Sequence, residues 1–341
     1  MAVEQMRMSL DDANLKWPPK PIATPKELRE KHPLSDEAVK TIYNGRESVK
    51  KIIDGQDSRK LVIVGPCSIH NGEEALDYAK SIKPLADEVQ ERLLIVMRAY
   101  LEKPRTERGW PGLMVDPDLN GSCDINKGVE LSRRLLIQLA ELGLPTATET
   151  LDPYSVQYMS DLVTWTCLGA RTAESQTHRK LGSGLSAPIG AKNGTDGNIE
   201  TAVNALKVIR SENSFVGMDD HGRYSKVETK GNKYCHIILR GGKNSELHAN
   251  YDAESVRRAQ EMLARSDLPQ RVVIDCSHGN ALSINPASGK KEKDYRMQAH
   301  VFDDVIGQIL TGNRDIIGLM LESNTNEGSC CTESGLCCWT L

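Results

Sequence analysis

Short apolar runs that alternate with amphipathic stretches constrain this chain more than any other feature. The runs are Leu61 to Val64, Leu93 to Met97, Thr146 to Thr148, Trp165 to Gly169, Ala187 to Gly190, Cys235 to Leu239, Arg271 to Ile274 and Ile316 to Leu321. They lack polar alternation, as do strands buried on both faces of a parallel sheet. Between them, Glu73 to Val89 places Ala75, Leu76, Ala79, Ile82, Leu85, Ala86 and Val89 at three- and four-residue spacing, which predicts a helix. Further helices are predicted over Lys127 to Leu142, where Gly143 stops the chain, over Ile199 to Ile209 and over Ala253 to Ala264. Repeated β-then-α units read as a (β/α)8 TIM barrel. An open doubly wound sheet shares the alternation, but no GxGxxG or GxxxxGK[ST] loop follows any strand.

The chain has 341 residues, 39% of them hydrophobic and 26% charged, enough for one barrel with an extension. We divide it into an N-terminal extension over 1–55, a catalytic barrel over 56–328 and a Cys-rich tail over 329–341. The extension carries Pro18, Pro19, Pro21, Pro25 and Pro33 and then a helical stretch from Ser35 to Ile53. Phe215 to Lys233 predicts an inserted hairpin, and Ala281 to Asp294 a second insertion. No run approaches the roughly 20 apolar residues that span a bilayer. Glu4, Arg7, Asp11 and Asp12 break any apolar core of a secretory signal, so a cytoplasmic location is expected. A net charge of -4 argues against general nucleic-acid binding. The 9 cysteines do not read as a disulfide framework, and Cys330, Cys331, Cys337 and Cys338 lack the paired CxxC of a zinc site.

In a barrel the residues just past each strand meet at one mouth. Here they include Cys67, Arg98, Lys103, Arg105, Glu149, Ala170, Arg171, Lys192, Arg240, His278 and Glu322. Any one cation there reads as a solvated strand end. Gathered together, they repel one another unless an anion neutralises them, and guanidinium groups suit phosphate and carboxylate oxygens. Cys67, His278 and Glu322 each have a bland reading as buried thiol, core imidazole and salt-bridged carboxylate. As a set they form a mixed site suited to Mn, Fe, Co or Zn, whereas Mg prefers oxygen. The long loop from Glu102 to Asn126 carries Lys103-Pro104-Arg105-Thr106, where Arg105 and Thr106 can grip a second phosphate.

These residues lie in GPCSIH (Gly65 to His70), EKPRT (Glu102 to Thr106), GARTAESQ (Gly169 to Gln176), KNGTDG (Lys192 to Gly197), HIILRGG (His236 to Gly242) and IDCSHGN (Ile274 to Asn280), followed by Glu322-Ser323. From about Pro25 to Gly328 the chain resembles the class I (AroAI-type) 3-deoxy-D-arabino-heptulosonate 7-phosphate (DAHP) synthases, the phospho-2-dehydro-3-deoxyheptonate aldolases that open the shikimate pathway. The resemblance implies condensation of phosphoenolpyruvate with erythrose 4-phosphate. It implies that Arg98, Lys103, Arg171, Lys192 and Arg240, with Glu149 and Ala170 beside them, hold phosphoenolpyruvate. By the same likeness Arg105 and Thr106 bind the phosphate of erythrose 4-phosphate, and Cys67, His278 and Glu322 hold a divalent metal. Lys103, Cys67 and His278 are then the catalytic candidates, with Lys103 protonating the developing alkoxide. The extension resembles that of members which respond to an aromatic amino acid and form dimers or tetramers.

The chain departs from the family after Glu327-Gly328, where the family supplies an aspartate metal ligand and a last helix. The Cys-rich tail has no aspartate. A three-ligand metal site is therefore expected, with strands one and eight lacking an outer helix. A second reading follows, a catalytically impaired phosphoenolpyruvate-binding paralogue or regulatory subunit. A Schiff-base aldolase using Lys103 or Lys192 is a further alternative.

Overall fold

The computed structural model describes residues 20–105, 108–243, 249–284 and 291–326, a few isolated positions, and the backbone alone of Lys291, 328–331 and 337–340. Thr106, most of 1–19 and the side chains of the Cys-rich tail lie outside the described residues.

Eight parallel strands close into a barrel. In chain order they are β1 (Lys60–Gly65), β2 (Leu93–Arg98), β3 (Thr146–Glu149), β4 (Trp165–Leu168), β5 (Ile189–Lys192), β8 (Cys235–Leu239), β9 (Val272–Asp275) and β12 (Ile316–Glu322). Two antiparallel hairpins are inserted, β6 (Asn213–Met218) with β7 (Tyr224–Thr229) and β10 (Leu282–Ile284) with β11 (Lys291–Lys293). Beyond β12 the backbone of β13 (Gly328–Cys331) pairs with β14 (Cys337–Thr340). The expected barrel and both insertions are present. β5 starts two residues later than expected, because Pro188 has no amide N–H for the ladder, although its carbonyl still accepts from Thr166 at 3.0 Å.

The ring closes where β1 pairs with β12 from Leu61↔Gly318 to Gly65↔Glu322. A Cβ at Gly318 would lie 2.2 Å from the Leu61 carbonyl oxygen, so only glycine allows this approach. Among the described residues no helix follows β12.

The helices are α1 (Pro25–Lys31), α2 (Asp36–Asp54), α3 (Gly72–Glu88), α4 (Ile125–Glu141), α5 (Val156–Met159), α6 (Gln176–Gly182), α7 (Ile199–Arg210), α8 (Ala253–Arg265) and α9 (Met297–Leu310). A capping box starts α1: Thr24 accepts from the Glu27 N–H, and the Glu27 carboxylate accepts from the Thr24 N–H. Ser35 caps α2, which ends at Gly55 in the left-handed region, φ 74°. Its Val49, Ile52 and Ile53 pack with Leu61, Ile63, Trp165, Val273 and Ile317 in the barrel interior. Arg271 Nε locks that floor by donating to the Ile53 carbonyl at 2.7 Å. No helix of the described residues is long and apolar enough to cross a membrane.

Candidate active site

At the C-terminal ends of the strands a cavity of about 290 Å³ opens among Cys67, Arg98, Lys103, Glu149, Ala170, Arg171, Lys192, Arg240, His278 and Glu322. The structure thus brings together every candidate named from the sequence except Arg105 and Thr106. Arg105 stands outside the cavity wall, and its Nε donates to the Trp110 carbonyl on its own loop at 2.9 Å.

Arg98 ends β2 fully buried. Its guanidinium donates to the carbonyls of Pro66 at 3.1 Å and Cys67 at 3.2 Å, lies 3.1 Å from Glu322 Oε1, and stacks 3.7 Å above the Tyr100 ring. Glu322 is also gripped by Ser277 Oγ, which donates to Oε2 at 3.1 Å. Gln298 on α9 fixes its backbone, accepting from the Glu322 N–H at 2.8 Å and donating to its carbonyl at 2.9 Å. Burial alone would raise the Glu322 carboxyl, but the charges of His278 and Arg98 outweigh it and hold it at about 2. Burial lowers the His278 imidazole to about 4, so at neutral pH the imidazole is uncharged and Arg98 is the lasting partner.

Lys192 pairs with the wholly buried Asp275 at 2.8 Å. The same Asp275 oxygen lies 3.0 Å from His278 Nδ1, without the alignment of a hydrogen bond. Burial opposes ionisation of Asp275, yet its charge partners His278 and Lys192 hold it well below the usual carboxylate range. A salt-bridged Lys192 is poorly suited to nucleophilic imine formation, which needs a neutral amine. Burial lowers Arg240 and raises Glu149, so each charge lacks the solvation it has in water.

His278 Nε2 lies 3.5 Å from Glu322 Oε1. Two ligands of one metal at roughly 2.1 Å stand about this far apart. Cys67 Sγ, on the same cavity wall, is 3.4 Å from Lys103 Nζ. Among the described residues no three His, Cys, Asp or Glu side chains lie close enough as they stand to hold a metal. The imidazole and carboxylate meet the spacing, and the thiol faces the same space.

Sequence reasoning missed Glu102, Thr195, Lys243 and Lys293 on the wall, and Asp275 and Gln298 behind it. Asp275 carried a signal, standing at the end of an apolar run beside Cys276-Ser277-His278. Lys293 carried none, because it reaches the cavity on an inserted hairpin.

A second cavity, about 300 Å³, lies between α5 and the β6–β7 hairpin. Phe215, Val227, Leu181 and Leu185 give it an apolar side, and Gln157, Asp161 and Ser186 a polar one.

Residues 31–336 match the model of the DAHP synthetase I family. Over 308 residues the chain is 46% identical to the Tyr-sensitive phospho-2-dehydro-3-deoxyheptonate aldolase of Escherichia coli (strain K12), spanning 90% of this chain and 83% of that one. It is equally 46% identical over 308 residues to the Trp-sensitive enzyme of Salmonella typhimurium, spanning 90% of this chain and 84% of the other. Among solved structures it is similar to the phospho-2-dehydro-3-deoxyheptonate aldolase of Francisella tularensis SCHU S4. The two superpose with a TM-score of 0.86 at 41% identity, over 92% of this chain and 88% of that one.

Proposed function

The chain belongs to the DAHP synthetase I family, and we propose that it condenses phosphoenolpyruvate with D-erythrose 4-phosphate and water, giving 3-deoxy-D-arabino-heptulosonate 7-phosphate and phosphate. This is the first step of the shikimate pathway. The observation that carries the reading is the surplus of positive charge at one mouth. Among the described residues, Arg98, Lys103, Arg171, Lys192, Arg240, Lys243 and Lys293 line a cavity with Glu102, Glu149 and Glu322 as the opposing wall carboxylates. Arg98 pairs with Glu322 and Lys192 with the buried Asp275, and the wall still carries more positive than negative side chains, which suits an anionic ligand.

In this reading Arg98, Lys103, Arg171, Lys192 and Arg240 hold the phosphate and carboxylate of phosphoenolpyruvate, beside Glu149 and Ala170. Arg105 and Thr106 take the phosphate of erythrose 4-phosphate, which requires Arg105 to turn from its own loop toward the cavity. Cys67, His278 and Glu322 hold a divalent metal, Mn, Fe, Co or Zn. Such an ion polarises an aldehyde oxygen when bound. A neutral His278 and an ionised Glu322 present lone pairs to it, and Lys103, beside Cys67, delivers a proton to the alkoxide that forms.

One assay tests these roles: phosphate release from both substrates with added Mn, alongside calorimetric binding of phosphoenolpyruvate. Turnover that EDTA abolishes and Mn restores is expected. Binding without turnover would select the impaired paralogue. Near-normal turnover by Lys103→Met at saturating substrate would remove its proton role. We assign the enzyme to the cytoplasm and infer a homo-oligomer sensitive to an aromatic amino acid, after its Tyr- and Trp-sensitive relatives. The second cavity has the mixed apolar and polar walls such an effector needs. Unchanged phosphate release with millimolar Tyr, Phe and Trp would refute this regulation.

A further inference from the structure

Three buried asparagines outside the cavity wall connect the ends of β5, β8 and β9. Asn193 Oδ1 accepts from the Arg240 N–H at 2.8 Å and from Asn250 Nδ2 at 3.2 Å. Its Nδ2 donates to the carbonyls of Gly194 at 2.9 Å and Gly241 at 3.1 Å. Asn250 Oδ1 accepts from the Gly241 N–H at 2.7 Å, and the Asn250 N–H donates to Asn280 Oδ1 at 2.8 Å. Asn280 Nδ2 reaches the carbonyls of Leu239 at 3.2 Å and Asp275 at 2.9 Å.

Buried backbone groups need partners, and past the strand ends the ladder no longer supplies them. Satisfying them does not require one network, yet here the bonds converge on one dipeptide. The Arg240 N–H goes to Asn193 and its carbonyl accepts from Gly279 at 2.9 Å, while both backbone groups of Gly241 are held by asparagines. The turn that follows β9 is pressed against the same segment. A Cβ at Gly279 would stand 2.6 Å from the Gly241 carbonyl carbon and the Gly242 nitrogen. Just before it, His278 adopts φ 57°, a conformation that costs a non-glycine residue free energy and persists only where its surroundings fix it.

We propose that Asn193, Asn250 and Asn280 form one positioning unit that fixes the Arg240 cation relative to the His278 turn, with the Asn250 side chain serving the Arg240 arm alone. The inference rests on the phosphate-binding role given to Arg240 above. Asn280 ties both arms through Leu239 and Asp275, whereas among the described residues the Asn250 side chain hydrogen-bonds to Gly241 and Asn193. Removing the outer contacts that orient a metal's ligands typically costs about 10- to 100-fold in affinity or activity, and a cost at the low end of that range is expected where a cation's backbone is released.

The test compares Asn250→Ala and Asn280→Ala with the unaltered protein, titrated with inorganic phosphate, phosphoenolpyruvate and Mn(II), the last read by the electron paramagnetic resonance of free Mn(II). Asn250→Ala is expected to weaken phosphate and phosphoenolpyruvate about tenfold and leave Mn(II) affinity within about twofold. Asn280→Ala is expected to weaken all three. Asn250→Asp, which fills the same volume and still accepts from Gly241 but cannot donate to Asn193 once ionised, should show the first pattern if the alanine variant does not fold. Unchanged phosphate binding in Asn250→Ala, or a parallel loss of phosphate and Mn(II) in step with a lowered melting point, would overturn the proposal. Failure of the unaltered protein to bind phosphoenolpyruvate would instead count against the proposed reaction, and the inorganic phosphate titration would still decide the positioning role.

Discussion

The mouth and the floor of the barrel are made by the same strands and bury opposite chemistry. Toward the floor, Leu61, Ile63, Val96, Trp165, Val273 and Ile317 pack with Val49, Ile52 and Ile53 of α2, and dispersion and water exclusion hold them. At the mouth the strands end in Arg98, Lys192, Asp275 and Glu322, all buried, with Arg240 just beyond β8. Buried charges cost several kcal/mol each unless paired, and replacing such pairs with apolar residues often stabilises a protein. The floor is therefore what folding needs. The mouth is what folding tolerates, because Arg98 pairs with Glu322 and Lys192 with Asp275.

The contrast breaks hardest at Glu322. Glu322→Ala leaves Arg98 buried with its carboxylate removed, and a loss of about 3–5 kcal/mol is expected by denaturant unfolding, together with loss of turnover. A loss under about 1 kcal/mol would show that the Arg98 contacts to Pro66, Cys67 and Tyr100 suffice, and that the mouth is not held by charge pairing. Ile52→Ala attacks the other end. Removing a fully buried isoleucine side chain should cost about 2–4 kcal/mol while kcat and KM stay within about twofold. A tenfold fall in kcat/KM would mean that the floor also shapes the site.

The two ends also differ in how far the sequence discloses them. Floor and strands are legible because a parallel strand buried on both faces reads as a near-continuous apolar run, as Leu61 to Val64 does, and such runs recur between amphipathic stretches. β5 slid by two residues because an apolar run does not report which amides it lacks, and Pro188 lacks one. The mouth is legible where a cation directly follows a run, as Arg98 and Arg240 do. Gln298 is not, since it reaches Glu322 from a helix 24 residues away in sequence. Asn250 is hidden in the same way, because its partners come from β5, β8 and the turn after β9.

The smallest expected effect tests where the mouth ends. Glu102 sits on the cavity wall beside Lys103, with Ser155 Oγ donating to it at 2.8 Å. Burial raises its carboxyl from 4.5 to about 7, against that hydrogen bond. The folded protein therefore keeps the proton over a range in which the unfolded chain has released it. Stability from this group is complete below about 4.5 and is lost as pH rises through about 7. Glu102→Gln cannot ionise and escapes this loss. Relative to the unaltered protein, the variant should gain stability between pH 5 and pH 8, on the order of 2 kcal/mol or less. Urea unfolding of both proteins at the two pH values measures it. An equal gap at both would show that Glu102 is ionised throughout, and the wall would then carry one more permanent negative charge against its cations than its burial implies.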